Sequence, residues 1–138
     1  MAPQARILMV EDNPDLVDLY RLKLQLEGYR VAVAADGAAG LELARSLRPD
    51  AILLDVHMPR LDGLQMLAAL RADEATRAVP VVMFSDDDSQ EVIAEARRLS
   101  AAAYLVKSRL LPSGVSQAIA AVLRETVEPS QAAAVKAS

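Results

Sequence analysis

Four places in this chain put a group capable of chemistry directly after a short apolar run. Glu11-Asp12 follow Ile7-Leu-Met-Val10, and Asp55 follows Ala51-Ile-Leu-Leu54. Ser85 follows Val79-Pro-Val-Val-Met-Phe84, and Lys107 follows Tyr104-Leu-Val106. A carboxylate at the end of a buried run is costly unless something pairs with it. Taken singly, each residue has an ordinary reading. Glu11-Asp12 complement the start of a helix, Asp55 is an Asx-turn residue, Ser85 is a turn hydroxyl and Lys107 is a solvated lysine. None of these readings requires the four sites to meet. If they do meet, three carboxylates share one place. Two of them about 5 Å apart, at an effective dielectric near 20, repel by roughly 3 kcal/mol. One lysine cannot offset that for three acids, but a divalent oxygen-seeking cation can. Mg²⁺ suits, with Mn²⁺ as the alternative, because it takes one or two carboxylates and leaves positions open for a phosphoryl oxygen. The cation and Lys107 together would stabilise charge on a transferring phosphoryl group. A carboxylate oxygen can attack phosphorus, and Asp55, central among the acids, is the expected nucleophile.

Whether the four sites meet depends on the elements that carry them. Five apolar runs, with Val31-Ala-Val33 as the second in order, alternate with five amphipathic stretches. Most runs are apolar at every position, as expected of parallel strands covered on both faces. The first helix is expected from Pro14 to Glu27, with Asn13 as N-cap, Pro14 at its first position and Gly28 just past its end. A second is expected from Gly37 to Leu47 and a third from Gly63 to Ala72. The fourth is expected from Ser89 to Leu99 and the fifth from Pro112 to Glu125. Strict alternation gives an α/β fold: a flavodoxin-like (βα)5 three-layer sandwich with a parallel sheet of order 2-1-3-4-5. In such a sheet the site lies at the carboxyl ends of the strands, where all four sites stand.

The 138 residues, 53% hydrophobic and 25% charged, are enough for one domain with a real core. Residues 1–5 read as an N-terminal extension, 6–125 as the domain, and 126–138 as a flexible or helix-extending tail. A net charge of −4 argues against a nucleic-acid face. The absence of cysteine excludes a disulfide framework and a thiolate nucleophile. No stretch reads as a membrane span or a secretory leader, so a cytoplasmic location is expected.

The motifs Ile7-Leu-Met-Val-Glu-Asp-Asn13, Pro49-Asp-Ala-Ile-Leu-Leu-Asp55, Met58-Pro-Arg-Leu-Asp-Gly63, Pro80-Val-Val-Met-Phe-Ser85 and Tyr104-Leu-Val-Lys107 together resemble the receiver domain of bacterial two-component response regulators. The resemblance covers about residues 6 to 124. It implies that Asp55 accepts a phosphoryl group from a sensor histidine kinase. Asp12 and Asp55 would ligate Mg²⁺, with the backbone carbonyl of His57, and with Glu11 directly or through water. Lys107 would pair with phosphoryl oxygens, Ser85 would swing its hydroxyl onto them, and Tyr104 would rotate inward behind it. That move would change the face made by the fourth helix, fifth strand and fifth helix.

Some positions depart from the family pattern. Ser108 stands where proline usually follows the lysine through a cis bond, so a trans bond and a different loop are expected. Asp86 stands where a small residue is usual, and would repel a phosphoryl group if it faced the site. The favoured expectation is that Asp86-Asp87-Asp88 charge the start of the fourth helix. Ser100 replaces a frequent glycine. His57 and Asp87, with Asp86, are candidates for setting the lifetime of a phosphorylated state.

The chain is read as a stand-alone receiver, with a fragment of a longer regulator as the alternative. Its partners would be a sensor kinase and either a downstream protein target or a phosphotransfer protein. A pseudo-receiver, binding proteins without regulated chemistry, is the second reading. A small Mg²⁺-dependent phosphatase is the third, weakened because His57 stands where a general acid is wanted. A homodimer through the fourth-helix to fifth-helix face is expected from Leu99, Tyr104, Leu110, Leu111, Val115, Ile119 and Val122.

Overall fold

The structure, a computed structural model, describes residues 4–137, with side chains described for 4–125. The first three positions of the expected N-terminal extension and Ser138 of the tail lie outside the described residues. The strands are β1 (Arg6–Val10), β2 (Arg30–Ala34), β3 (Ala51–Leu54), β4 (Val81–Ser85) and β5 (Ala103–Val106). The helices are α1 (Pro14–Leu26), α2 (Gly37–Leu47), α3 (Gly63–Ala72), α4 (Gln90–Arg98) and α5 (Pro112–Ala137), and a single 3₁₀ turn covers Lys107–Arg109. All strand pairs are parallel and the order is β2-β1-β3-β4-β5.

Side chains alternate across a strand, and the continuous apolar runs therefore feed two cores. Leu8, Val10, Ile52, Leu54, Val81 and Met83 point to one layer, where they meet Ala44 of α2, Met66, Leu67 and Leu70 of α3, and Ala96 of α4. Ile7, Met9, Leu53, Val82 and Phe84 point the other way, onto Tyr20 and Leu24 of α1 and Val115, Ile119 and Val122 of α5. Because the three central strands are walled on both sides, their chain ends are held rigidly. The edge strands β2 and β5 are less completely covered.

Helix starts follow their caps. The Asn13 side chain accepts from the Asp15 and Leu16 amides, Asp36 caps α2, Asp62 and Gln65 form a reciprocal capping box on α3, and Ser89 caps α4. Gly28, at φ +95, turns the chain out of α1 in a conformation that suits glycine. Several boundaries shift by a residue or so from the sequence reading, α1 ending at Leu26 and α4 running Gln90–Arg98 among them, and two differ by more. β4 begins at Val81 rather than Val79, because the Val79 amide is spent on the Thr76 carbonyl and Pro80 has no N–H to give. The helical run of α5 extends past Glu125 to Ala137. No described peptide bond is cis, so Lys107–Ser108 is trans.

Helix α4 is the least anchored. Its sequence, Gln90-Glu-Val-Ile-Ala-Glu-Ala-Arg-Arg98, buries only Ala96. A cavity of about 400 Å³ lies between α4 and β5, bounded by Ile93, Ala96, Tyr104 and Arg109 among others. Its far end is fixed from elsewhere. The guanidinium of Arg71 donates to the carbonyls of Leu99 and Ser100 just past α4, and to those of Arg77 and Val79 before β4. Burial lowers the Arg71 pKa from its ordinary value.

The apolar residues that suggested a dimer are mostly used internally. Val115, Ile119 and Val122 are buried, and Leu99 and Tyr104 pack against the core under α3 and α4. Leu110 is half-buried, and Leu111 alone of the seven is exposed. Among the described residues, no helix is long and apolar enough to cross a membrane.

Candidate functional site

The sheet ladder continues past the strands and sets the first acids. The Glu11 amide donates to the Ala34 carbonyl and the Asp55 amide to the Val10 carbonyl, each at 3.0 Å. Glu11 and Asp55 are thereby locked side by side at the ends of β1 and β3. Both are buried, at 3% and 6% exposure, while Asp12 is exposed at the rim. Ligand oxygens of Glu11, Asp12 and Asp55 all lie within 4.8 Å of one another. This is the one such acid, histidine or cysteine group among the described residues.

Lys107 enters from the end of β5. Its Nζ lies 2.7 Å from Glu11 Oε1 and donates to Asp55 Oδ2 at 3.3 Å. The Phe84 ring, 5.4 Å from the ammonium, supports it from the sheet side and is itself met edge-on by Tyr20. Burial works to lower the Lys107 pKa, but the Glu11 and Asp55 carboxylates outweigh it and raise it. Burial pushes the Glu11 carboxyl up; the Lys107 ammonium opposes that rise and the Asp55 charge adds to it. Glu11 Oε1 is fully buried, and although it is ion-paired to Lys107 no aligned hydrogen bond reaches it. Three carboxylates crowded together with one ammonium among them are the donor chemistry that suits a divalent oxygen-seeking cation.

Ser85, the last residue of β4, is buried, and its oxygen accepts from the Asp87 amide at 3.2 Å. Tyr104 reaches the same loop from β5, its hydroxyl donating to the Asp87 carbonyl. Burial pushes the Tyr104 hydroxyl up, a hydrogen bond with Ser85 opposes it, and the charges of Asp87, Asp55 and Asp88 add to the rise. His57 and Asp87 meet, with Nε2 and Oδ2 2.7 Å apart. The His57 and Ser89 hydrogen bonds hold the Asp87 carboxyl at about 2. The structure thus gathers Glu11, Asp12, Asp55 and Lys107 in one cluster, and sets Ser85, Tyr104, Asp87 and His57 around the loop beside it. Asp86 is exposed and does not join the acids.

Three features escaped sequence reasoning. The aspartate run does more than charge a helix end: Asp87 binds His57, and Asp88 Oδ2 lies 2.6 Å from the Arg109 guanidinium. The loop from Val56 to Asp62 is fastened at two close approaches. A Cβ on Gly63 would stand 2.0 Å from the Asp55 carbonyl oxygen, and one on Gly37 would stand 2.3 Å from that of Leu61. The loop also carries Arg60, at φ 68, whose guanidinium lies 2.7 Å from Asp36. The capping bond from the Ala39 amide, together with Arg60, holds the Asp36 carboxyl below its usual range. The Asp36-Gly37 and Asp62-Gly63 pairs signal helix starts in the sequence, whereas their partners lie 24 or more residues away or across a turn and leave no local signature.

The match to known proteins agrees with this geometry. Residues 7–120 match the family model described as the response regulator receiver domain. PilH of Pseudomonas aeruginosa is 38% identical over 105 residues, which are 75% of this chain and 85% of that one. The transcriptional regulatory protein PrrA of Mycobacterium bovis is 40% identical over 119 residues, 86% of this chain. The chain spans only 50% of PrrA, and 33% of the Synechocystis regulator RpaA, to which it is 42% identical over 80 residues. Among solved structures, chemotaxis protein CheY4 of Vibrio cholerae superposes with a TM-score of 0.81 at 30% identity, covering 87% of this chain and 99% of that one. A doubly wound sheet, acids at the ends of β1 and β3, a lysine at the end of β5 and a family match across most of the length lead to one conclusion: the chain belongs to the response regulator receiver domain family.

Proposed function

We propose that Asp55 accepts a phosphoryl group from a phosphohistidine on a sensor kinase, in a divalent-cation-dependent reaction, and that the resulting charge changes the face made by α4, β5 and α5. One observation carries this reading. Three carboxylates converge within 4.8 Å while a single ammonium touches two of them, and this excess of negative charge needs a cation.

Asp12 and Asp55 would hold Mg²⁺, with Glu11 directly or through water and the His57 carbonyl completing the protein ligands. When bound, the ion supplies charge neutralisation at the phosphoryl oxygens. The chain does the rest. The Asp55 carboxylate forms the new O–P bond as the donor N–P bond breaks, and the imidazole leaves with the electron pair and takes a proton from water. Lys107 moves from the acids to a phosphoryl oxygen. Ser85 gives up the Asp87 amide and donates its hydroxyl to another phosphoryl oxygen, and Tyr104 follows through the Asp87 loop. Water later attacks phosphorus, breaks the bond to Asp55 and returns the carboxylate with free phosphate. His57 and Asp87 stand over that approach and set its rate. Output then passes to a downstream protein or to a phosphotransfer histidine. A homodimer across the same face would rest on Leu111 for exposed apolar contact, and sedimentation with and without beryllofluoride tests it.

Beryllofluoride titration in the presence of Mg²⁺, followed by fluorine NMR, tests the reading against the pseudo-receiver alternative. A slowly exchanging adduct that vanishes with EDTA is expected. No adduct in excess Mg²⁺ would favour the pseudo-receiver.

A further inference from the structure

We propose that the 3₁₀ turn Lys107–Arg109 is a second mechanical link from the acid site to helix α4, separate from the Ser85 and Tyr104 hydroxyls and ending in the Arg109–Asp88 ion pair. The link rests on the reading of Asp55 as phosphoacceptor. Lys107 opens the turn and Arg109 closes it. The first side chain reaches into the acid cluster, 2.7 Å from Glu11 and 3.3 Å from Asp55. The second lies 2.6 Å from Asp88, the residue immediately before the Ser89 cap of α4. Only Ser108 separates Lys107 from Arg109 in this short, tightly wound turn, so a backbone shift at Lys107 has a single residue to cross before it reaches Arg109.

The rest of the molecule gives that displacement somewhere to go. Helix α4 buries only Ala96, and the cavity of about 400 Å³ beneath it is bordered by Arg109 itself. Few buried contacts mark the low-stability end of a structure. The far end of α4 is tied by Arg71 through the Leu99 and Ser100 carbonyls. The near end is tied to the site itself, by His57 and Tyr104 at Asp87 and by Arg109 at Asp88, so a change at the site reaches α4 at its near end. A phosphoryl group on Asp55 would draw the Lys107 ammonium away from Glu11. The turn follows, and Arg109 moves Asp88 and the first turn of α4. The Asp88 and Arg109 side chains are 55% and 65% exposed. Such a pair shifts an equilibrium by about twofold to fivefold and no more. It is therefore a bias on the switch.

Amide hydrogen exchange at residues 89–94, read with and without Mg²⁺ and beryllofluoride, tests the link. The chains compared are the wild type, Arg109→Ala, and the exchanged pair Asp88→Arg with Arg109→Asp. The adduct at Asp55 should form in all three over a similar concentration range. The adduct-induced change at 89–94 should fall about twofold to fivefold in Arg109→Ala and recover in the exchanged pair. Roughly 1 M salt, which shortens screening to about 3 Å, should remove the difference between wild type and Arg109→Ala. An Arg109→Ala response equal to wild type at low salt overturns the link, as does an exchanged pair no better than the single variant. Absence of the adduct in the wild type would instead overturn the reading of Asp55, and the link with it.

Discussion

Lys107 and Glu11 stand 2.7 Å apart at the ends of strands that are not neighbours in the sheet, with Asp55 between them accepting from the same ammonium. The lysine at 13% exposure and the glutamate at 3% form a pair largely taken out of water. Such pairs break even at best when intact and cost heavily when half is removed. Lys107→Ala should therefore lose about 3 kcal/mol in metal-free buffer at neutral pH. Excess Mg²⁺ should return much of this, since a ligand at a hundredfold its Kd contributes about 2.7 kcal/mol. Urea unfolding in EDTA and in Mg²⁺ measures both. A variant as stable as wild type in EDTA would mean the acids do not depend on the ammonium.

Gly63 is where the acid loop and α3 touch. A methyl group there would stand 2.0 Å from the Asp55 carbonyl oxygen, against backbone that cannot turn aside. Gly63→Ala should cost about 3 kcal/mol and weaken Mg²⁺ stabilisation by displacing Asp55. Gly28→Ala is the control. It meets nothing within 4 Å and bears only the strain of φ +95, which is worth about 1 kcal/mol. Equal losses at the two sites, in chemical denaturation, would contradict the packing argument.

Arg71 satisfies four main-chain carbonyls with one planar group. Arg71→Met should destabilise by about 2–4 kcal/mol. Arg71→Lys should recover only part of that, because an ammonium cannot serve the same fork. Hydrogen exchange should rise first at 99–101 and 77–79. A uniform rise across the domain would argue against a local tie.

His57 and Asp87 form one contact across the loop beside Asp55. If they shield phosphorus together, His57→Ala and Asp87→Ala should each shorten the phosphorylated lifetime, by up to about fivefold for an exposed pair. The double variant should be no worse than either alone. Decay of labelled protein after donor removal gives the rates. Additive effects would separate the two residues.

Much of the fold was legible because continuous apolar runs and capped helices are local signals. Asn13-Pro14, Gly37 and Gly63 each marked a helix start that the structure keeps, and Ser89, expected as the first residue of the fourth helix, is its N-cap. The meeting of Glu11, Asp55 and Lys107 was legible too, once strand ends were taken to share one rim. What escaped was long-range and two-sided: Arg60 with Asp36, Arg109 with Asp88, and Arg71 with carbonyls of two loops. Arginines reach far, and no periodicity says which acid or carbonyl they find. The apolar content that suggested a dimer face was overcounted for a related reason. Counting the apolar residues of α5 overlooked how much of them the sheet already covers.

Every step proposed for this molecule passes through Asp55 as the phosphoacceptor. Incubating the protein with phosphoramidate and Mg²⁺, then mapping the phosphoryl group by tandem mass spectrometry, tests it most directly. One acid-stable, base-labile phosphoryl group on Asp55, absent in EDTA and absent from Asp55→Asn, is the predicted result. A phosphoryl group on another residue of the wild type, or none in excess donor and Mg²⁺, would contradict it.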